Sequence, residues 1–267
     1  SRDRFGVKPL YFLRIKDYFV FASELKAFMA LPVRLRPDFD LGMIARMKNE
    51  ESTGQTLLEG VKNLMGGCCL TVGRNGSPQV RRWWTTGDHF EQVPRRFEEQ
   101  VERYKELFYD ACRIRMRSDV PIGTALSGGL DSSAVVALMR RSGAGEINTF
   151  AIGFDQPQYD ERPYARAVAT AFDTKHHEFV VRPDITELLP RLVYHYNEPF
   201  ADSSAVPTWV LTEMAGRSIT VALSGDGGDE AFLGYDRYAG AVVADQLDRL
   251  PEGLRRGIAK VVGWLPN

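Results

Sequence analysis

Cysteine is scarce in this chain of 267 residues: only Cys68, Cys69 and Cys112 are present. An odd count without framework spacing excludes a disulfide scaffold and points to a reducing, cytoplasmic setting. Neighbours such as Cys68 and Cys69 project to opposite faces of a strand, so small packed side chains are expected there rather than a redox pair. Long apolar runs are missing as well, and none approaches the ~20 residues of a membrane span. No signal-peptide pattern opens the chain, since Ser1 is followed at once by Arg2, Asp3 and Arg4. Charge of one sign is not in excess: 34 Lys and Arg face 35 Asp and Glu. That balance gives no reason to expect nucleic acid or an anionic membrane as partner. Histidine is limited to four residues. His176 and His177 would diverge on a strand and have no Cys or carboxylate at ligand spacing, so a structural role is expected for both. Ser1 raises the question of an N-terminal nucleophile with its own amine as base, but a cut or processed end is the expectation.

What is present suits a soluble globular protein, with 44% hydrophobic and 26% charged residues. The length allows one large or two ordinary domains. No repeat or low-complexity tract occurs. Residues 1–84 read as β-rich. Leu10–Leu13 and Tyr18–Ala22 are strand-like runs across a Lys16-Asp17 turn, and Ser23–Met29 reads as a short helix capped by Ser23. Cys68–Val72 and Gln79–Trp84 resemble a hairpin across Gly73-Arg74-Asn75-Gly76. Residues 85–97 lose periodicity and read as a linker.

From residue 98 the pattern changes. Glu98–Met116 has helical spacing, with Val101, Tyr104, Leu107, Phe108, Ala111 and Cys112 on one face. Strand candidates at Ile122–Leu126, Thr149–Phe154, His177–Val181 and Ile219–Leu223 then alternate with helix candidates at Ser132–Arg141, Arg162–Ala171, Ile185–Tyr196 and Pro207–Ala215. Such alternation predicts an α/β domain, a parallel doubly wound sheet covered by helices on both faces.

Two loops carry the candidate chemistry. The first, Ser127-Gly128-Gly129-Leu130-Asp131-Ser132-Ser133, follows a strand and opens a helix that is apolar nearly all round and expected to be buried. Its glycines let backbone amides approach an anion at a helix N-terminus. Asp131 would repel a bare phosphate, so it suggests a bridging Mg²⁺. The alternative is a plain strand-to-helix turn capped by Asp131 or Ser132. A Walker A lysine, a G-x-S-x-G elbow and a dinucleotide G-x-G-x-x-G are all absent. The second loop, Ser224-Gly225-Asp226-Gly227-Gly228-Asp229-Glu230, ends another apolar strand. A solvated acidic turn is the alternative there. Two sheet-end loops of this composition could share one magnesium ion and one polyphosphate. Tyr235, Arg237 and Tyr238 come next, as pocket-shaping or as ordinary packing residues. Arg255, Arg256 and Lys260 read as a solvated helix face.

The SGGLDSS and SGDGGDEAFLGYDRY segments together resemble the glutamine-dependent asparagine synthetase family. RDRFGVKPLYF and FASELKAF resemble the later part of that family's glutaminase domain, and EPFADSSAVPT resembles bacterial members. The resemblance implies a PP-loop ATP-pyrophosphatase type sheet over 98–267, preceded by a β-rich partial glutaminase domain of the Ntn type over 1–84. It also implies ATP and Mg²⁺ as cofactors, and aspartate with glutamine or ammonia as small-molecule substrates. A homodimer is compatible with it, and the sequence is silent on oligomeric state. Carried over by position, Ser127, Gly128, Gly129, Ser132 and Ser133 would cradle pyrophosphate, and Asp131 and Asp229 would hold Mg²⁺. Leu126, Ile152, Ser224 and Gly225 would line the adenosine pocket. Asp226, where the family often has Glu, would position or deprotonate the amine, and Glu230 would support the metal loop. Asp3 would bind the glutamine amino group.

Some positions depart from the family pattern. Gly66-Gly67-Cys68-Cys69 stands where a Pro-Gly-His type run is expected. The family's nucleophilic cysteine lies upstream of this segment and a catalytic lysine lies downstream, so the chain resembles an internal fragment that is itself inactive. Related amidotransferases or β-lactam-type synthetases acting on another acid are the first alternative. A catalytically dead interaction module is the second.

Overall fold

A computed structural model of the chain describes residues 1–38, 54–73, 76–181, 184–198 and 202–256, apart from the side chains of residues 159, 236 and 237. The first elements are β1 (Tyr11–Ile15), β2 (Tyr18–Ala22), β3 (Lys62–Asn63), β4 (Cys68–Val72) and β5 (Pro78–Arg82). They are followed by α1 (Phe97–Arg115), β6 (Ile122–Ala125), α2 (Leu130–Arg141), β7 (Asn148–Gly153), α3 (Arg162–Ala171) and β8 (Lys175–Val180). The described chain finishes with α4 (Ile185–Tyr196), α5 (Ala205–Ala215), β9 (Val221–Leu223), α6 (Gly228–Phe232) and α7 (Asp236–Asp248). Two units emerge: Ser1–Asp110 with Ile152–Asp160 and Phe179–Ser218, and Ala111–Ala151 with Glu161–Glu178 and Ile219–Asn267.

In the first unit β1 lies between β2 and β3, antiparallel to both. The tight reversal expected at Lys16-Asp17 is present, with Lys16 at φ +49°. Leu13, Leu25, Phe28 and Val61 form one core cluster, and Phe12, Leu64 and Cys68 another. Cys68 is buried while Cys69 is half-buried, as opposite strand faces require. The helix expected from Ser23 is instead a 3₁₀ turn over Leu25–Ala30; Glu24 holds the cap position, without a side-chain bond. The turn at residues 74–75 lies outside the described residues, but the β4–β5 ladder forms as expected, from Pro78 to Arg82 on its second strand. Later in the same unit Lys26 Nζ donates to the Tyr194 carbonyl at 3.1 Å, and the Lys26 amide donates to Asn197 Oδ1 at 3.0 Å. A cation at the end of α4 complements the negative pole of that helix.

The helix expected over 98–116 is α1, but its apolar stripe is only partly covered among the described residues, with Val101, Phe108 and Ala111 half-buried and Tyr104 and Leu107 exposed. Only Cys112 is buried, while Leu107 is 52% exposed. Helix-favouring residues and the ion pairs Glu102–Lys105 and Arg103–Glu106 support it instead.

The four-stranded sheet runs in the order β8-β7-β6-β9. β6 pairs parallel with both β7 and β9. The bonds Lys175 N to Ile147 O and Val181 N to Gly153 O keep one offset, so β8 is parallel as well. The first strand of the series therefore lies beside the fourth, the reversal that makes a doubly wound sheet and its switch point. Behind β6, a core of Leu126, Val136, Ala151, Ala165 and Ala169 packs α2 and α3. The expectation that α2 is buried all round is corrected: Val135, Val136 and Met139 face inward, but Leu130 is 91% exposed at its N-terminus.

Candidate functional site

In a doubly wound sheet, ligands lie beyond the carboxyl ends of the strands at the switch point. The loops leaving β6 and β9 sit there and share one cavity of about 260 Å³. Ser127, Asp131 and Ser132 line it from the first loop, and Ser224, Gly225, Asp226, Asp229 and Glu230 from the second. Ala125, Gly227 and Tyr235 complete the wall. Ala125 was not singled out in the sequence, because it carries no polar side chain, and Gly227 was named only as part of the second loop. Leu126 does not line the cavity; it is 2% exposed, with its side chain in the sheet core. Gly128, Gly129, Ser133 and Ile152 do not line it either.

The first loop is organised by its own hydroxyls. The Ser127 and Ser132 hydroxyls lie 3.0 Å apart, the Ser127 amide donates to Ser132 Oγ at 3.3 Å, and the Gly129 amide donates to Ser127 Oγ at 3.2 Å. Neither Asp131 nor Ser132 caps α2: Gly129 holds the cap position without a side-chain bond, so the simple capping alternative fails. Ser133 Oγ is buried and lacks a hydrogen-bond partner among the described residues. Gly128 has φ +85°, and a Cβ there would stand 2.5 Å from the Tyr164 carbonyl carbon at the start of α3.

The two loops meet through Asp131. A Cβ at Gly225 would stand 2.9 Å from Asp131 Cβ, and one at Gly228 would fall on the Asp131 carboxylate. Both positions must stay bare for that side chain to dock. In the second loop Ser224 Oγ donates to Asp226 Oδ2 at 2.9 Å, and the Tyr235 hydroxyl donates to Glu230 Oε1 at 2.8 Å. Four carboxylates thus line the cavity, and no Lys, Arg or His is among its described lining residues. An anion can enter only with a cation beside it. At about 260 Å³ the space is below the ~300–1,000 Å³ of ordinary ligand pockets, the scale of phosphate groups and an ion rather than of a whole nucleotide.

Asp3 is not a cavity residue. Its carboxylate accepts the amides of Phe5, Val7 and Lys8 at 3.2, 2.9 and 2.9 Å, led by Lys8 in holding its pKa below the usual range. Arg2, 4% exposed, donates to the carbonyls of Lys8 and Leu64 and to Asn63 Oδ1, fixing the same loop to β3.

The paired histidines diverge, as expected. His177 Nε2 lies 3.1 Å from Asn148 Oδ1, and His176 Nδ1 lies 2.8 Å from Thr149 Oγ1. Among the described residues no group of three or more His, Cys, Asp or Glu is placed to hold a metal. Burial pushes the His176 pKa below its ordinary 6.5, opposed by Glu178, whose Oε1 is 3.3 Å from Nε2. A histidine folded neutral binds fewer protons than the unfolded chain does. Its contribution is therefore complete above pH 6.5 and is lost as pH falls through the lower folded value. Urea midpoints should drop as pH falls below 6.5, and His176→Gln should flatten that slope.

Fold and loops together define a doubly wound α/β protein with its candidate site at the switch point. The asparagine synthase family model matches residues 103–263, and a glutamine amidotransferase domain model matches residues 1–84. The chain belongs to the asparagine synthase family. A putative glutamine-hydrolysing asparagine synthetase 2 of Methanocaldococcus jannaschii is 38% identical over 270 residues, covering 96% of this chain and 50% of that protein. The glutamine-hydrolysing asparagine synthetase 1 of Bacillus subtilis is 32% identical over 268 residues, covering 100% of this chain and 42% of its own length. The chain thus spans half or less of the curated relatives it matches. An NH3-dependent NAD synthetase structure from Campylobacter jejuni overlays 50% of this chain and 60% of its own, at a TM-score of 0.36 and 15% identity.

Proposed function

We propose that this chain carries the nucleotide-activating loops of an ATP-dependent carbon–nitrogen ligase, a glutamine-hydrolysing asparagine synthetase. The observation that carries the reading is the convergence of both glycine–hydroxyl–carboxylate loops on one switch-point cavity. In the reaction, the aspartate side-chain carboxylate attacks the α-phosphorus of ATP and the α–β P–O bond breaks, releasing pyrophosphate. Ammonia from glutamine then attacks the acyl carbon, the amide forms and AMP departs.

The donor set fits Mg²⁺ in one respect that matters. Mg²⁺ is held by one or two carboxylates together with phosphate oxygens and water, and Asp131 and Asp229 are two hard oxygen donors lining one cavity. When bound, the ion would neutralise the departing pyrophosphate. Ser127 and Ser132 would supply hydroxyls to the same charge from the cavity wall; Gly128, Gly129 and Ser133 belong to the same proposed cradle but do not line the cavity, and the Ser133 hydroxyl is buried. Adenosine is assigned to Leu126, Ile152, Ser224 and Gly225 by the family resemblance; of these Ser224 and Gly225 line the cavity, and Leu126, whose side chain is in the core, would act through its backbone. Asp226, tethered by Ser224, positions or deprotonates the amine, and Glu230 supports the metal loop. Asp3 anchors loop 2–8, so a glutamine amino group reaching it would share its oxygens with three amides.

Residues 1–84 form the glutaminase-type part, 85–97 the linker and 98–267 the synthetase part, in line with the two family matches. Small-molecule substrates and a cytoplasmic setting belong to the same reading on the family resemblance, which is also compatible with a homodimer. No helix among the described residues is long and apolar enough to cross a membrane. The test uses aspartate labelled with ¹⁸O in its side-chain carboxylate, given with Mg-ATP and ammonium to a protein that carries this segment and spans the full length of the relatives. Expected is one ¹⁸O in the AMP released, with asparagine formed. Unlabelled AMP, or label transfer only with other acids, would reject the mechanism or the substrate respectively.

A further inference from the structure

The turn Leu233-Gly234-Tyr235, directly after the second loop, has no task in the reaction above. We infer that this turn positions the Asp229 and Glu230 carboxylates, with Tyr235 as the positioning residue, resting on the reading that the cavity takes Mg²⁺ with a nucleotide's phosphates.

Three independent features converge on it. Leu233 is left-handed at φ +58° and ψ +39°, a conformation that a branched side chain rarely takes. Its amide and that of Gly234 both donate to the Asp229 carbonyl, closing α6 abruptly. The reversal brings Gly234 under the Asp229 side chain: a Cβ there would fall on Asp229 Oδ1, so any other residue displaces that carboxylate. The following Tyr235 lines the cavity, and its hydroxyl donates to Glu230 Oε1 at 2.8 Å.

Repulsion supplies the reason such a device is needed. Asp131, Asp226, Asp229 and Glu230 share one small cavity, and no cationic side chain is among its described lining residues. Their like charges repel one another, so a carboxylate held there needs a donor on its oxygens. A phenol donor on one oxygen holds it without adding charge. Leu233 in its strained conformation aims the chain back so that residue 235 can reach residue 230. Backbone strain kept at a candidate site in this way is a signature of positioning rather than of simple packing.

The experiment compares Tyr235→Phe with Tyr238→Phe as control; the Tyr238 ring lies 5.9 Å from that of Tyr235 and does not line the cavity. Amide exchange at residues 229–233 is measured in the ligand-free chain, and affinity for Mn²⁺·ATP by electron paramagnetic resonance. Expected for Tyr235→Phe is exchange about tenfold faster and Mn²⁺·ATP binding about tenfold weaker, the worth of one hydrogen bond to a charged group, with the melting temperature unchanged. Tyr238→Phe should leave both readings alone. Unchanged exchange in Tyr235→Phe overturns the inference, and so does an equal loss of melting temperature in the two variants. If the unsubstituted chain binds no Mn²⁺·ATP, the functional reading fails, while exchange still decides the positioning role.

Discussion

Gly128→Ala should destabilise the chain by about 3 kcal/mol in urea titration, combining a left-handed backbone penalty of ~1–2 kcal/mol with overpacking of ~1–3 kcal/mol. At φ +85° the added methyl would meet the Tyr164 carbonyl carbon and Cβ at 2.5 Å and the Ala165 amide nitrogen at 2.7 Å. Those atoms start α3, whose Ala165 and Ala169 belong to the core behind β6, so relief requires moving a packed helix. Gly129→Ala is the control. Its methyl would meet only Ser127 Oγ, at 3.3 Å, and its φ is not positive, so it should cost under ~1 kcal/mol. Equal costs for the two would show that the α3 contact does not matter. The first glycine of the loop is thus a packing requirement of the fold as well as part of an anion cradle.

Asp131→Asn should separate ligand binding from folding. The amide has nearly the shape of the carboxylate, so it still fits over Gly225 and Gly228. With one of four clustered negative charges gone, ligand-free stability should hold or rise slightly. Mg-ATP affinity, by contrast, should fall about a hundredfold, or ~2.7 kcal/mol, because one of two carboxylate ligands is lost. Paired melting curves with and without Mg-ATP read both quantities. A variant that loses stability without ligand, yet keeps its ligand-induced shift, would make Asp131 only the joint between the loops.

Much of this architecture was legible in the residues. α3 and α4 fall on the spans expected from helical periodicity, and β6, β7 and β9 lie within two residues of theirs. Such segments combine apolar periodicity with clear breakers, and packing agrees with them. The sheet order is a different matter, since it depends on contacts among distant strands that no local pattern encodes. The α1 stripe shows the limit from the other side: periodicity marks a face that wants cover, but not whether cover is supplied. At the site, hydroxyls, carboxylates and glycines stood out because their composition is chemically unusual between apolar runs. Docking of Asp131 onto Gly225 and Gly228 did not, because a side chain's reach across two loops appears only in three dimensions. Tyr235 was ambiguous for the same reason, as its meaning lies in one hydrogen bond to Glu230.

The central claim is that the two loops form one site in which the metal and the polyphosphate are held together. Isothermal titration of the chain with ATP, in Mg²⁺ and again in EDTA, tests it most directly, with Mg²⁺ alone as the third titration. Among the described residues no three His, Cys, Asp or Glu side chains are grouped to hold a metal, which leads to one expectation: ATP binds in Mg²⁺, binding disappears in EDTA, and Mg²⁺ alone binds weakly or not at all. ATP binding that is indifferent to EDTA, or no ATP binding in either buffer, would contradict a shared metal–polyphosphate site.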